Sequence, residues 1–138
     1  MIFWILYALS FLLMWFENRL IVLSAAKRPV IFGTLSFQFI LWITRLAFQY
    51  GSIIGIWYVN DIAIAILAFA IIYAFGKITF KIYFNKEVQW TASYLTNILK
   101  RDADTKGEKI SDDEIYRQAY SEAYNLVVQN MKTGGRGF

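Results

Sequence analysis

Arg45 lies near the middle of a predominantly apolar run covering residues 29–59. A bare charge at that depth in a hydrocarbon layer costs roughly 2.5–3.5 kcal/mol on insertion scales, so it calls for a counter-charge or a task. On a helix, Thr34, Gln38, Arg45, Gln49 and Ser52 fall within about 60° of one another at ~100° per residue. Such a stripe supports two kinds of chemistry. It can hydrogen-bond and ion-pair across a helix interface. Repeated around an axis, it can also line a polar path in which Arg45 repels cations or binds anions. Ser36 and Thr44 fall off the stripe, which weighs against a continuous lining and towards an interface.

The candidate counter-charge is Glu17. The only acids in the first 83 residues are Glu17 and Asp61. Asp61 is about 24 Å along the helix from Arg45, at ~1.5 Å per residue. Counted from one end of their spans, Glu17 and Arg45 match in depth, with Lys77 at the same level. Counted from the loop joining the two spans, they match only if residues 20–28 run along the membrane surface. Proton transport would need a second titrating group beside Glu17, and the spans offer none.

The chain has no Cys and no His. Thiol catalysis, haem ligation by His and Cys/His zinc or copper sites are therefore excluded within it. No Walker loop, nucleophile elbow, EF-hand pattern or zinc spacing occurs. No catalytic, cofactor-binding or metal-ligating residue is expected, and an enzyme is not expected.

The elements that must position the stripe follow from composition. The 138 residues are 58% hydrophobic and only 17% charged, too few charges to cover a soluble domain of this length. Three apolar stretches, 2–23, 29–59 and 62–84, can each cross a core of ~30 Å, which needs about 20 residues. The fold class is all-α: a three-span transmembrane domain over 1–84 and a small helical extension over 85–132. The net charge of +4 resides in residues 1–83, whereas 84–138 carry eight basic and eight acidic groups. A tail with no basic excess argues against a nucleic-acid partner.

Arg19, Lys77 and Lys81, with Lys27, Arg28 and Lys86, cluster at one end of the spans, and the 60–61 turn has no base. The positive-inside rule then puts the N-terminus outside and the C-terminus in the cytoplasm. Pro29 suits the first turn of the second helix. Gly33, Gly51 and Gly55, facing small residues such as Ala65, Ala68 and Gly76, suggest that spans two and three form a close pair. The third helix is expected to run on to about Lys100, followed by a polar linker over 101–110. Ser111-Asp112-Asp113-Glu114 is a capping box opening a last helix. Its packing stripe is read as Tyr116, Tyr120, Ala123, Tyr124, Val127 and Met131, and 133–138 as a flexible tail.

These features point to a multi-pass protein of a cell (inner or plasma) membrane. It is expected to be a non-catalytic accessory subunit of a larger membrane assembly, docking through the Thr34/Gln38/Arg45/Gln49/Ser52 face. The alternative is a homo-oligomeric channel lined by that face. Its partners are membrane lipid and other membrane subunits or copies of itself.

Overall fold

A computed structural model describes residues 1–25 and 35–133, without the side chains of 24, 25, 35, 36, 132 and 133. Four helices occur in order: α1 (Ile2–Ala25), α2 (Leu35–Val59), α3 (Ile62–Lys106) and α4 (Asp112–Thr133). No strand occurs among the described residues. Three of the helices, α1, α2 and α3, are long and apolar enough to cross a membrane. The expected positions of Gly33, Thr34 and Pro29, and the tail from 134, lie outside the described residues.

The chain divides into two compact units. The first holds α1, α2 and α3 as far as Tyr83. Its turn is short because Asn60 and Asp61 finish and start helices at once. The Asn60 amide and its side-chain Nδ2 both donate to Ile56 O, at 2.9 and 3.3 Å. The Asp61 carboxylate accepts from the Ile62 amide at 2.6 Å, as acceptors at a helix start do.

The core of this unit joins all three helices. Tyr7 and Met14 of α1, Ile56 of α2, and Ala65, Ala68 and Ile72 of α3 are buried together, with Phe3, Phe11, Ile53 and Phe75 against them. In a bilayer the lipid tails are as apolar as the core, so close packing and hydrogen bonds must hold the helices together. The glycines show where that packing is tightest. The Phe3 ring lies where a side chain on Gly55 would begin, and Met14 Sδ is 2.7 Å from that position on Gly76. Both glycines therefore admit α1. This differs from the close pair of α2 and α3 through Gly51, which has open space around it. The bulky aromatic and thioether side chains of α1 take up the room that the glycines leave.

Two hydrogen bonds set the register of α1 on α3. The Tyr7 hydroxyl donates to Ala68 O at 2.6 Å, and Asn18 Nδ2 donates to Thr79 Oγ1 at 2.7 Å. Both pairs are 61 residues apart in sequence, so α1 and α3 run parallel in one register. Followed forward, α1 meets α2 backward: Phe3 reaches Gly55 and Glu17 reaches Arg45.

In the second unit, α3 continues to Lys106, six residues past the expected Lys100, so residues 101–106 of the expected linker are helical. The charged residues there are adequate helix formers, and the stop is made by Gly107. Gly107 has φ +69°, its amide donates to Asp104 O at 3.3 Å, and the Glu108 amide donates to Ala103 O at 3.0 Å. That pairing is a Schellman closure, which glycine adopts without a side-chain penalty. At the start of α4 the Glu114 amide approaches Ser111 Oγ at 3.4 Å, the cap the sequence suggested.

The stripe of α4 is corrected by one residue. Its buried positions are Ile115, Ala119, Ala123 and Val127, and Ala123 and Val127 pack with Val88 and Ala92 of α3. Ala123, Val127 and Met131 fit the expected stripe, but Tyr116, Tyr120 and Tyr124 are exposed. Alanines let two helix backbones approach, so the large rings move to the flank, where a phenol also reaches water. Tyr124 keeps one contact, edge-to-face with Phe84 at 5.6 Å.

The glycines give the sharpest test of this packing. Gly55→Ala is expected to cost about 1–3 kcal/mol through the collision with Phe3. Gly51→Ala should be neutral or stabilising by up to about 1 kcal/mol, the helix-propensity gain of alanine. Reversible unfolding in detergent would read both. Equal effects at the two positions would mean that α1 does not occupy the groove at Gly55.

Candidate functional site

Glu17, near the middle of the second half of α1, is buried, and its side chain is 10% exposed. Arg45, on α2, has a side chain 14% exposed. Arg45 Nε and Glu17 Oε2 form an ion pair within the first unit. On the other edge of the guanidinium, Nη1 donates to Gln49 Oε1 at 2.7 Å. The i, i+4 spacing on α2 places Gln49 directly above Arg45. One turn further, Ser52 Oγ donates to Gln49 O at 2.9 Å and is fully buried.

The stripe thus reads along α2 as Arg45, Gln49 and Ser52, closed by the chain's own α1. Gln38, two turns before Arg45, is also buried, and its Nε2 has no hydrogen-bond partner among the described residues. The outward surface of α2 carries Phe39, Ile40, Trp42, Ile43, Tyr50, Ile54 and Trp57, all exposed. An apolar surface of this kind is what a helix shows to lipid. Of the polar face, Gln38, Gln49 and Ser52 are buried and Arg45 nearly so, whereas Thr34 lies outside the described residues. Within the first unit, Arg45 of that face is engaged by Glu17 of α1, and Gln49 by Arg45.

Residues 20–25, which the depth match would lay along the membrane surface, continue α1 instead. α1 continues as one helix for eight residues past Glu17, and α2 begins ten residues before Arg45. Both helices therefore extend beyond the pair by about 12–15 Å at ~1.5 Å per residue. The pair forms with residues 20–25 still in α1, and residues 26–28 lie outside the described residues.

A second polar contact was not foreseen. Asn18, next to Glu17, donates Nδ2 to Gly76 O at 3.1 Å as well as to Thr79 Oγ1. Thr79 Oγ1 lies 2.8 Å from Phe75 O, so its own proton is directed back along α3. Glu17 and Asn18 therefore hold α1 to two different helices from adjacent positions. The signal was present in the sequence. Spans one and three of a three-span chain run parallel, and Asn18 and Thr79 are nearly equal in distance from Ile2 and Ile62.

No family model matches the chain, and no curated protein or solved structure matches it either.

The assembled site is a neutralised polar seam. Its carboxylate and its guanidinium are committed to each other, and Gln49 is committed to Arg45. Among the described residues no group of three or more His, Cys, Asp or Glu could hold a metal ion. The seam's chemistry is attachment: it fixes depth and rotation of α1 against its neighbours.

A buried pair of this kind is asymmetric in energy. Removing one partner strands the other charge, at a cost of about 3–5 kcal/mol, whereas replacing both with apolar residues is often neutral. Glu17→Leu is expected to destabilise the bundle by that amount. Glu17→Leu with Arg45→Met should recover most of it, as read by equilibrium unfolding in detergent. Additive losses in the double variant would sink the pairing.

Proposed function

We propose that this protein is a small integral membrane protein that serves as a non-catalytic accessory subunit of a larger membrane assembly, with its C-terminal unit in the cytoplasm. One observation carries the reading. The second unit exposes a row of large apolar side chains where α3 has already outrun a membrane span. Trp90, Tyr94 and Ile98 are 53%, 58% and 43% exposed, at i, i+4 and i+8. The rings of Trp90 and Tyr94 stack at 6.1 Å. α3 has 45 residues, more than twice the ~20 needed for a ~30 Å core. Residues near Lys100, Arg101 and Asp102 belong in water, and an aromatic row beside them is an interaction surface.

Docking through this row is preferred to docking through the polar face of α2, because Arg45 on that face is held by Glu17 of α1. The same contact supports the subunit reading over a channel lined by Gln38, Arg45, Gln49 and Ser52. The orientation rests on charge. Arg19, Lys77 and Lys81 mark one end of the spans, and Asp61 is the sole charged side chain of the opposite turn.

The full chain, solubilised mildly from its own membranes, should migrate on a native gel as part of a complex well above its 16.1 kDa mass. Trp90→Ala with Tyr94→Ala should release it, without loss of helicity. Reconstituted alone in liposomes, it should carry no ion current. A lone monodisperse oligomer that conducts ions would instead establish the channel.

A further inference from the structure

With Arg45 satisfied, the unexplained charges of the first unit are cations on its outside. Arg19, Lys77 and Lys81 are exposed, and none forms an ion pair among the described residues. The Lys77 ammonium rests on the Tyr73 ring, 5.6 Å from its centroid, a contact that stabilises a cation without neutralising it. The three stand at one level. Asn18 bonds Thr79, so Arg19 comes level with residues 79–80 of α3, between Lys77 and Lys81.

Depth decides what can neutralise them. From Ile62, Lys77 is about 22 Å along α3 and Lys81 about 28 Å, at ~1.5 Å per residue. In a core of ~30 Å, Lys81 is at the far boundary and Lys77 a little inside it. A lysine stem can snorkel from there to the headgroups. Another copy of this chain has no exposed acid to offer near that level, since Glu17 and Glu87 are both buried. Its Glu17 is committed to Arg45, and its Asp61 caps α3 at the other end. A partner's single carboxylate would meet one of the cations, whereas they are spread over α1 and α3. The edge-to-face pair of Trp15 and Tyr83, at 6.2 Å, lies in the same zone and suits a headgroup boundary.

We infer that Arg19, Lys77 and Lys81 form a rim that binds the headgroups of anionic phospholipids in one leaflet. The Lys77 and Lys81 pair, one helical turn apart, is its strongest point. Phosphate oxygens accept from both ammonium groups, and the acyl chains lie along the exposed apolar side of α3, at Ile78 and Ile82.

The test uses the full chain in detergent micelles supplied with phosphatidylglycerol and phosphatidylcholine of identical acyl chains. Native mass spectrometry reads the retained lipid. Wild type should prefer phosphatidylglycerol, and the preference should fall about five-fold for each lysine changed in Lys77→Gln and Lys81→Gln. Lys77→Arg with Lys81→Arg should keep it. Circular dichroism of all variants should match wild type, because these side chains are exposed. Equal retention of the two lipids by wild type would overturn the inference, as would an unchanged preference in the double Gln variant. Displacement of the lipid by millimolar inorganic phosphate would assign the site to free phosphate and overturn it too. So would equal retention joined with loss, in the Gln variant, of a co-purifying helix that bears an acid.

Discussion

The first unit depends on the contact between Glu17 and Arg45. Neither charge is cheaply left alone inside an apolar bundle, because a stranded buried charge costs about 3–5 kcal/mol. Paired, they become a neutral element with fixed geometry. The pair also constrains more than itself. Glu17 and Asn18 are adjacent, so fixing Glu17 on α2 sets the height and rotation at which Asn18 meets Gly76 and Thr79 on α3. Two residues thus fix one helix against two others. A stretch of apolar residues could not do that in lipid, where sliding one apolar surface over another changes little.

The small residues take their meaning from this constraint. A polar pair sets register only if the backbones come close enough for short side chains to reach. Gly55 and Gly76 provide that approach at two levels of α1, under Phe3 and Met14. Tyr7 adds a third point through Ala68 O. Hydrogen bonds within membrane bundles contribute individually about 0.6–2 kcal/mol, so several in one register are needed to outweigh the alternatives. Close approach through small residues recurs in the second unit, where Lys100 of α3 also pairs with Asp112 of α4 at 3.1 Å. There Ala92 and Ala123 bring α3 and α4 together, and Gly107 turns the chain sharply enough for α4 to fold back.

Much of this could be read from the sequence, and what could not has a physical cause. The three spans, the polar stripe and the pairing of Glu17 with Arg45 follow from the cost of charge in hydrocarbon, which is large and local. The direction in which the stripe faces does not follow from that cost. A polar face satisfied by the chain's own helix and one satisfied by another chain look the same in sequence, because both simply require partners. Gly51, Gly55 and Gly76 signal close approach but do not say which helix approaches. The tyrosines of α4 misled for a related reason. Periodicity weighs Tyr116, Tyr120 and Tyr124 as heavily as Ile115, Ala119 and Ala123, whereas a tight helix pair selects the smaller side chains and leaves the rings outside. The end of α3 is not legible from charge, because the charged residues 101–106 stay helical and the stop is the positive φ of Gly107.

Sorting the charges by whether they are paired separates the interior from the surface. Glu17 and Arg45 cancel inside, and Asp61 is spent on the helix start at one end. What is left over on the first unit is positive and lies at the other end, at the level of Thr79. A bundle with that remainder has a preferred depth and a preferred direction in a membrane whose leaflets differ in charge. Internal register and external orientation are therefore coupled through α1. The bond from Asn18 to Thr79 that positions Glu17 also positions Arg19, one residue on and facing outward. Shifting α1 by a turn would break the ion pair and at the same time carry Arg19 about 5 Å off the level of the lysines. The sequence Glu17-Asn18-Arg19 therefore does three tasks in three consecutive residues: neutralising α2, bonding α3, and charging the surface.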